Sequence, residues 1–237
     1  MKRLLAFFII SALLFALSAC GSDAPSAPLV DVGASPALSG ADSIGSDAAA
    51  FNAENGKTPA ARVDDTAAAI YNGTEGITLY GAAAYTNTGD CPIIIESADF
   101  TFTAGGETFE HSFVPPLAEY AVLMPGETSF LTAWAPQASE TALSAGMEVS
   151  LSVSLTPRRA EAARTLLLVD RLYLADNYPN FTTLSGRITC AGALGCEMNV
   201  IHIGFYDAEG TFLGAWYFTK NTLLEGDESK NFVVQMY

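Results

Sequence analysis

Apolar and polar residues alternate most regularly in Met147–Thr156, where the two classes change places at every position. A strand has a side-chain period of two, so this segment predicts a β-strand with one buried face and one wetted face. Gly146 and Pro157 bound it as turn-forming residues. The same period recurs in Ile77–Tyr80 and Thr182–Thr189. No segment shows the period of about 3.6 residues that marks a long amphipathic helix. An all-β fold is therefore predicted from about residue 63 onward.

The two halves of this β region resemble each other in sequence. With a shift of 105 residues, five identities fall between positions 79 and 105, and one of them places Gly81 on Gly186. Further along the shift becomes 100, and Leu123 falls on Leu223. Matches at strand and turn positions favour duplication of one β module. We therefore predict two small antiparallel β-sandwich domains in tandem. They cover residues 63–157 and 165–237.

The second copy has the more recognisable order of strands and turns. Val200–Tyr206 leads into the turn Asp207–Gly210, and Phe212–Phe218 returns from it. This pattern resembles the FxLYD domain, an Ig-like β-sandwich module of exported bacterial proteins, and the Tyr-Asp end of Ile203–Asp207 matches its naming motif. In the first copy, Pro125–Glu127 is similar to the Pro-Gly-Glu turn of that family. The resemblance implies a fold and implies no catalytic role.

The first nineteen residues have the organisation of a signal peptide. A basic start is followed by the uncharged and largely apolar run Leu4–Leu17, which is too short to span a bilayer as a stable helix. Leu17–Cys20 then reads Leu-Ser-Ala-Cys, which resembles the bacterial lipobox. The resemblance implies a signal peptide over residues 1–19, cleavage between Ala19 and Cys20, and attachment of diacylglycerol, with acyl chains such as palmitate, to Cys20. An ordinary secretory signal and an uncleaved anchor are the alternatives.

Residues 20–62, which follow the cleavage site, consist mainly of Ala, Ser, Gly, Pro and Asp. Such a composition cannot bury enough apolar surface to offset the entropy of the chain. We predict a disordered, flexible tether that carries the lipid at its start and spaces the folded part from the membrane. A linker with no spacing role is the alternative.

Charge restricts the partners of this chain. Its formal net charge is −15, and cleavage removes two basic residues, which leaves the mature chain near −17. Nucleic acid binding requires clustered Lys and Arg, so no nucleic-acid partner is expected. We expect lipid attachment to the extracytoplasmic face of the cell membrane, with a Gram-positive surface favoured. The expected partner is a protein or a wall polymer of the cell envelope.

Three cysteines remain after the lipidated one. Cys190 and Cys196 flank a short loop, and an exported location permits a disulfide between them. Two reduced thiols are the alternative. Cys91 is left over, and the sequence places no base beside it that would activate a nucleophile.

Candidate catalytic and metal-binding residues are sparse. His111 and His202 belong to different copies, and neither has a partner at metal-ligand spacing. Asp207–Gly210 lacks the ligand pattern of a calcium loop and is explained by a hairpin turn. We therefore predict that the protein is not an enzyme and that it has no catalytic residue, cofactor or metal.

Aromatic residues are the remaining candidates for binding. Phe212, Trp216 and Phe218 are predicted to share the buried face of one strand. Tyr206, Tyr217 and Tyr237 would form a contact patch if they were exposed together. Core packing is the alternative for each of them.

The pattern as a whole predicts a membrane-anchored, non-catalytic lipoprotein whose β-sandwich modules mediate protein or cell-envelope interactions. An accessory subunit of an envelope hydrolase is one alternative. A solute-binding lipoprotein is another, although that class is usually built from two α/β lobes and a longer chain.

Overall fold

The structure is a computed structural model of the 237-residue chain. It describes residues 58–73, 76–116, 118, 121–136, 143–144, 146–161, 166–177, 181–191, 195–196, 199–220 and 223–236. Regular structure in these residues is β, in agreement with the predicted all-β class. The predicted signal peptide, Leu17–Cys20 and nearly all of the tether lie outside the described residues.

Six strands make up the first half of the fold. They are β1 Ala61–Gly73, β2 Gly76–Asn87, β3 Ile93–Ala104, β4 Glu107–Phe113, β5 Thr128–Pro136 and β6 Val149–Arg159. They form two antiparallel sheets with the strand orders β1-β2-β5 and β4-β3-β6. The turn between β3 and β4 consists of Gly105 and Gly106, which both have positive φ, as a two-residue hairpin requires.

Five strands make up the second half. They are β7 Leu166–Asn177, β8 Phe181–Ala191, β9 Asn199–Tyr206, β10 Phe212–Lys220 and β11 Ser229–Met236. Their sheets have the orders β11-β8-β7 and β10-β9. Strand pairing is antiparallel throughout the described strands, which differs from the α/β lobes of a solute-binding lipoprotein.

The strand predicted from alternation is confirmed as β6. From Val149 to Leu155 its odd-numbered side chains pack against the core of the first half, and its even-numbered side chains are exposed. That core is centred on Phe100 and Phe102 of β3, which are fully buried. Each buried aromatic ring removes a large apolar area from water, so this face fixes the register of the sheet.

Strand β2 behaves differently, because every residue from Leu79 to Tyr85 is buried. Its odd-numbered side chains face the core of the first half. The even-numbered side chains from Tyr80 to Ala84 pack instead with Phe212 and Ala215 of β10. A strand that is buried on both faces needs a continuous apolar run of small side chains, and the Gly-Ala-Ala-Ala stretch of β2 supplies one.

The sheets therefore stack in four layers, in the order β4-β3-β6, β1-β2-β5, β10-β9 and β11-β8-β7. A second core between the last two layers contains Ile188, Leu224 and Phe232. We call the contact between the two middle layers the seam. The eleven strands in the described part of the chain belong to one compact unit. The division into two domains stays a prediction.

One turn recurs in both halves. Asn87, at the end of β2, exchanges two backbone hydrogen bonds with Gly126–Glu127, at 2.9 and 3.0 Å. Cys190, near the end of β8, exchanges the same two bonds with Asp227–Glu228, both at 3.0 Å. These matches give shifts of 103 and 101 residues, so the sequence alignment with shifts of 105 and 100 was wrong in register. The first shift is wrong by two residues, which keeps each side chain on its face, so the pattern alone did not reveal it. The second shift is wrong by one residue.

Candidate interaction surface

Tyr80 ties the two sides of the seam together. Its hydroxyl donates to the carbonyl oxygen of Ala215 and accepts from the amide of the same residue, both at 2.7 Å. Burial raises the pKa of Tyr80 to about 12. Gly214 has a φ of +150°, and a Cβ there would lie 2.8 Å from the Tyr80 hydroxyl. Glycine is therefore required for the phenol to reach the backbone of β10.

Two aromatic side chains beside Tyr80 reach the surface, and we call Tyr71 and Trp134 the aromatic pair. Their ring centroids lie 5.5 Å apart, and each also contacts the Tyr80 ring, at 6.0 and 4.8 Å respectively. Trp216 of β10 meets Trp134 edge-on at 6.0 Å. Nevertheless Tyr71 is 50% exposed and Trp134 is 39% exposed. The pair is thus an exposed aromatic surface whose rings pack against each other and against Tyr80.

His202 lies within the seam on β9. Its Nδ1 is 2.7 Å from the carbonyl oxygen of Phe130 and 3.2 Å from the hydroxyl of Ser129. A carbonyl only accepts, so Nδ1 carries the proton. Burial lowers the pKa of His202, although the bond to Phe130 opposes this shift. The ring therefore provides a hydrogen-bond donor to the carbonyl oxygen of Phe130 on β5.

A small cleft opens beside His202 at the edge of the seam. Phe113, Pro115, Phe130 and Tyr217 are among the residues that line it. Its volume of about 10 Å³ is room for roughly one water molecule. This cleft is too small for a solute or a substrate.

The structure joins Cys190 and Cys196 as a disulfide, with 6.4 Å between their Cα atoms. Both cysteines are buried, and the bridge connects the end of β8 to the residue that pairs with Leu224. Cys91 is buried in the core of the first half. The predicted lipid attachment site Cys20 and the cleavage residue Ala19 lie outside the described residues.

The remaining titratable candidates have local structural roles. The carboxylate of Asp207 accepts from the amides of Thr211 and Glu209, at 2.7 and 3.0 Å, which lowers its pKa, with the bond from Thr211 the main cause. His111 stacks on Phe113 with 5.6 Å between ring centroids. Within the described ranges, no three His, Cys, Asp or Glu side chains meet as a set that could hold a metal.

The aromatic residues of β10 do not all lie as predicted. Trp216 and Phe218 pack against the second core, but Phe212 packs in the seam on the opposite face. The pairing register shifts between Phe212 and Gly214, so an extra residue at this bulge reverses the alternation. The prediction of one shared face was therefore wrong for Phe212.

Of the three tyrosines in the patch predicted from sequence, the structure describes Tyr206 and Tyr217. Tyr206 is 45% exposed, and it contacts Phe130 and Phe212. Tyr217 is half-buried beside His202, and Tyr237 lies outside the described residues. The aromatic pair was not identified from sequence, because Tyr71 and Trp134 come together only through the separate pairing of β1 and β5 with β2.

No helix in the part of the chain that the structure describes is both long enough and apolar enough to cross a membrane. No protein-family model matches the chain, and no curated protein matches it at a significant level.

Proposed function

We propose that this protein is a non-catalytic lipoprotein, held by a lipid on Cys20 to the extracytoplasmic face of the cell membrane. Its β-sheet body, which we assign to two FxLYD-like modules, contacts a protein or a wall polymer of the envelope. A Gram-positive surface is the favoured location. The tether over residues 20–62 gives the body reach from the membrane.

The aromatic pair is the observation that carries this proposal. Interfaces are enriched in Tyr and Trp, which offer a large apolar area at a low cost in side-chain entropy. Tyr71 and Trp134 are held by Tyr80 and by neighbouring strands, so little further ordering is needed on binding. They are also the only aromatic residues besides Tyr206 with large exposed areas among the described side chains.

The roles of the other chemical groups support a binding protein. His202 satisfies a carbonyl of β5, Tyr80 bonds the backbone of β10, and Asp207 caps a turn. Each of these groups is accounted for by the fold. We therefore assign the contact surface to the aromatic pair and not to these hydrogen-bonded groups.

The contact is tested by crosslinking the full-length, lipid-anchored protein in intact cells and identifying what it captures. The double variant Tyr71→Ser, Trp134→Ser should capture about tenfold less of the same molecule, because it removes both anchors. The control is Leu223→Ser, Val233→Ser, which removes two other exposed apolar side chains. Equal capture by both variants would contradict the assignment. Tyr71→Ser alone, at a half-exposed position, should show part of the loss without disturbing the seam.

The anchor is tested separately by labelling cells with palmitate. The wild-type chain should take up label and fractionate with membranes, whereas Cys20→Ala should lose the label. Label that persists in Cys20→Ala would refute lipidation at this residue, and an unlabelled wild-type chain would do the same.

A further inference from the structure

Hydrogen bonds from two side chains, Tyr80 and His202, link the two sides of the seam. The hydroxyl of Tyr80 bonds the backbone of Ala215, and Nδ1 of His202 donates to the carbonyl oxygen of Phe130. The pKa of Tyr80 is about 12, so this phenol stays neutral under ordinary conditions. An imidazole, in contrast, has an ordinary pKa near 6.5 and changes its charge close to neutral pH. His202 is therefore the link across the seam that pH can alter.

The surroundings of His202 offer little that could stabilise a second proton. Because Nδ1 already carries a proton, acid adds the next one at Nε2. Within the described residues, Nε2 has no hydrogen-bond partner. The cleft beside the ring is lined by uncharged side chains, among them Leu131 and Trp216, and its volume of about 10 Å³ holds roughly one water molecule. A positive charge here would be poorly solvated.

The titratable groups on the elements around His202 bring no negative charge to it. On β10, the ring of Tyr217 lies 6.3 Å from the imidazole, between centroids. On β5, Ser129 bonds both the imidazole and the buried phenol of Tyr85. On β4, His111 stacks on a phenylalanine that lines the cleft. Phenols are neutral at the pH at which an imidazole titrates. In the described part of the chain, no carboxylate bonds the imidazole or lines the cleft.

The direction of the pH effect follows from this environment. Burial lowers the pKa of His202 below 6.5, and the bond to Phe130 opposes that shift only in part. If the seam opens, the ring returns to water and to its ordinary pKa. Because the pKa is lower in the closed state, neutral His202 stabilises the closed seam above pH 6.5. This contribution is lost as the pH falls from 6.5 towards the pKa of the closed state.

The seam is also the interface between layers that opens most easily. Its buried side chains are mainly small, with Ala82 and Ala84 facing Ala215, whereas each of the two cores contains buried phenylalanine, leucine and isoleucine. Small side chains remove little apolar area from water. In the described strands, no sheet extends across the seam, so no ladder of backbone hydrogen bonds holds it closed. Each half can therefore keep its own core when the seam opens.

We propose that the seam is a pH-sensitive contact, which protonation of His202 opens in mild acid while both halves stay folded. Trp134 and Trp216 meet across the same seam, with 6.0 Å between ring centroids. Opening therefore also removes one of the contacts that hold the aromatic pair in place. This consequence for binding rests on the proposed function, whereas the opening itself does not.

The test measures amide hydrogen exchange by NMR in the full-length protein in detergent, at about pH 7.5 and about pH 5, a range above the ordinary titration of carboxylates. The amide of Ala215 donates to the Tyr80 hydroxyl across the seam, so its protection reports whether the seam is closed. Amides of Phe100 and Ile188, in the central strands of the two outer sheets, report the two halves. After correction for intrinsic exchange, the protection of Ala215 should fall about tenfold in acid, while Phe100 and Ile188 stay protected.

A matched pair of variants assigns the effect to one histidine. His202→Asn keeps an amide donor near the position of Nδ1 but does not titrate, so the protection of Ala215 should be the same at both pH values. His111→Asn removes the other histidine of the chain and should respond to acid as the wild type does. The ring signals of His202 in the wild type should titrate over the same range as the loss of protection. This measurement decides the matter if His202→Asn does not fold.

Protection of Ala215 that is unchanged by acid in the wild type would overturn the proposal, as would a loss that persists in His202→Asn. Parallel loss at Phe100 and Ile188 would also overturn it, because the whole fold would then be opening. If exchange does not respond to acid but crosslinking through the aromatic pair succeeds, the proposed function stands. If crosslinking fails at every pH, the exchange result stands without it, so the two failures are distinguishable.

Discussion

The turn before β5 and the turn before β11 make the same backbone hydrogen bonds, to Asn87 and to Cys190, but different side chains hold the two corners in place. In the first half, the buried side chain of Asn87, 1% exposed, donates to the carbonyls of Cys91 and Leu123 at 2.8 and 2.9 Å. In the second half, the equivalent position is Cys190, and a covalent bond to Cys196 closes the same corner. The same geometry is thus held by an amide network in the first half and by a disulfide in the second half. The two fastenings should respond differently to mutation, to reductant and to pH.

The largest effect is expected at Asn87. Asn87→Ala removes both donated bonds and the bond that the side-chain oxygen accepts from the amide of Gly89 at 2.9 Å. Each such bond contributes about 1 kcal/mol, so the free energy of unfolding should fall by about 3 kcal/mol. Denaturant titration measures the change. Asn231→Ala, at an exposed position, is the control and should be near neutral.

A smaller effect is expected at the disulfide. Closing so short a loop stabilises a fold by about 2 kcal/mol, so Cys190→Ala, Cys196→Ala should unfold at a lower denaturant concentration than the wild type. Dithiothreitol should lower the wild-type midpoint toward that of the variant and leave the variant unchanged. If the reductant has no effect under unfolding conditions, the covalent fastening is not formed in the isolated protein.

The residue before Glu127 in the first turn and the residue before Glu228 in the second turn give a third comparison. Gly126 has a φ of +82°, and Asp227 has a φ of +61° at the equivalent position. A Cβ at Gly126 meets no atom within 4 Å, so Gly126→Ala tests the backbone alone and should cost about 1 kcal/mol. Asp227→Gly places a residue without a Cβ in the same positive-φ conformation, and it should change the free energy of unfolding by less than Gly126→Ala does. Thermal unfolding of both variants checks the order, and a larger effect at Asp227 would contradict it.

The smallest effect concerns pH. The carboxylate of Glu228 accepts from the amide of Glu225 at 2.8 Å, and this bond, together with Lys230, lowers the pKa of Glu228 below 4.5. Because the folded pKa is below the unfolded one, the carboxylate stabilises the fold above pH 4.5, and this contribution is lost as the pH falls through the folded pKa. Glu228→Gln should therefore flatten the stability profile below pH 4.5. If the wild type and Glu228→Gln lose stability in parallel as the pH falls, the carboxylate of Glu228 does not stabilise the fold in this way.

The sequence predicted the elements better than it predicted their partners. Strand β6 followed from alternation because one of its faces is wet, and the hairpin turn at Asp207 followed from local chemistry. In strand β2 only the start, Ile77–Tyr80, showed the period of two, because the residues from Leu79 to Tyr85 are buried on both faces and form an apolar run without alternation. The bulge before Gly214, which moves Phe212 into the seam, is set by packing against the first half.

Two contacts between strands that are distant in sequence illustrate the same limit. The polar positions of β6 were visible in the sequence, but their alignment with Thr101 and Thr103 depends on strand pairing over long separations. Tyr71 and Trp134 are likewise brought together by β2, which lies between their strands. The local pattern therefore predicts which side chains of one strand share a face. The pairing of strands that are distant in sequence decides which of these faces are exposed together.

The double burial of β2 has a consequence for how this chain is cut or shortened. A fragment that ends at Ala160 would keep the first core but would present Tyr80, Ala82 and Phe130 to water. Exposed apolar sheet faces of this kind drive self-association. The second half thus shields an apolar face of the first, and the first half cannot be produced alone without another protein surface to cover that face.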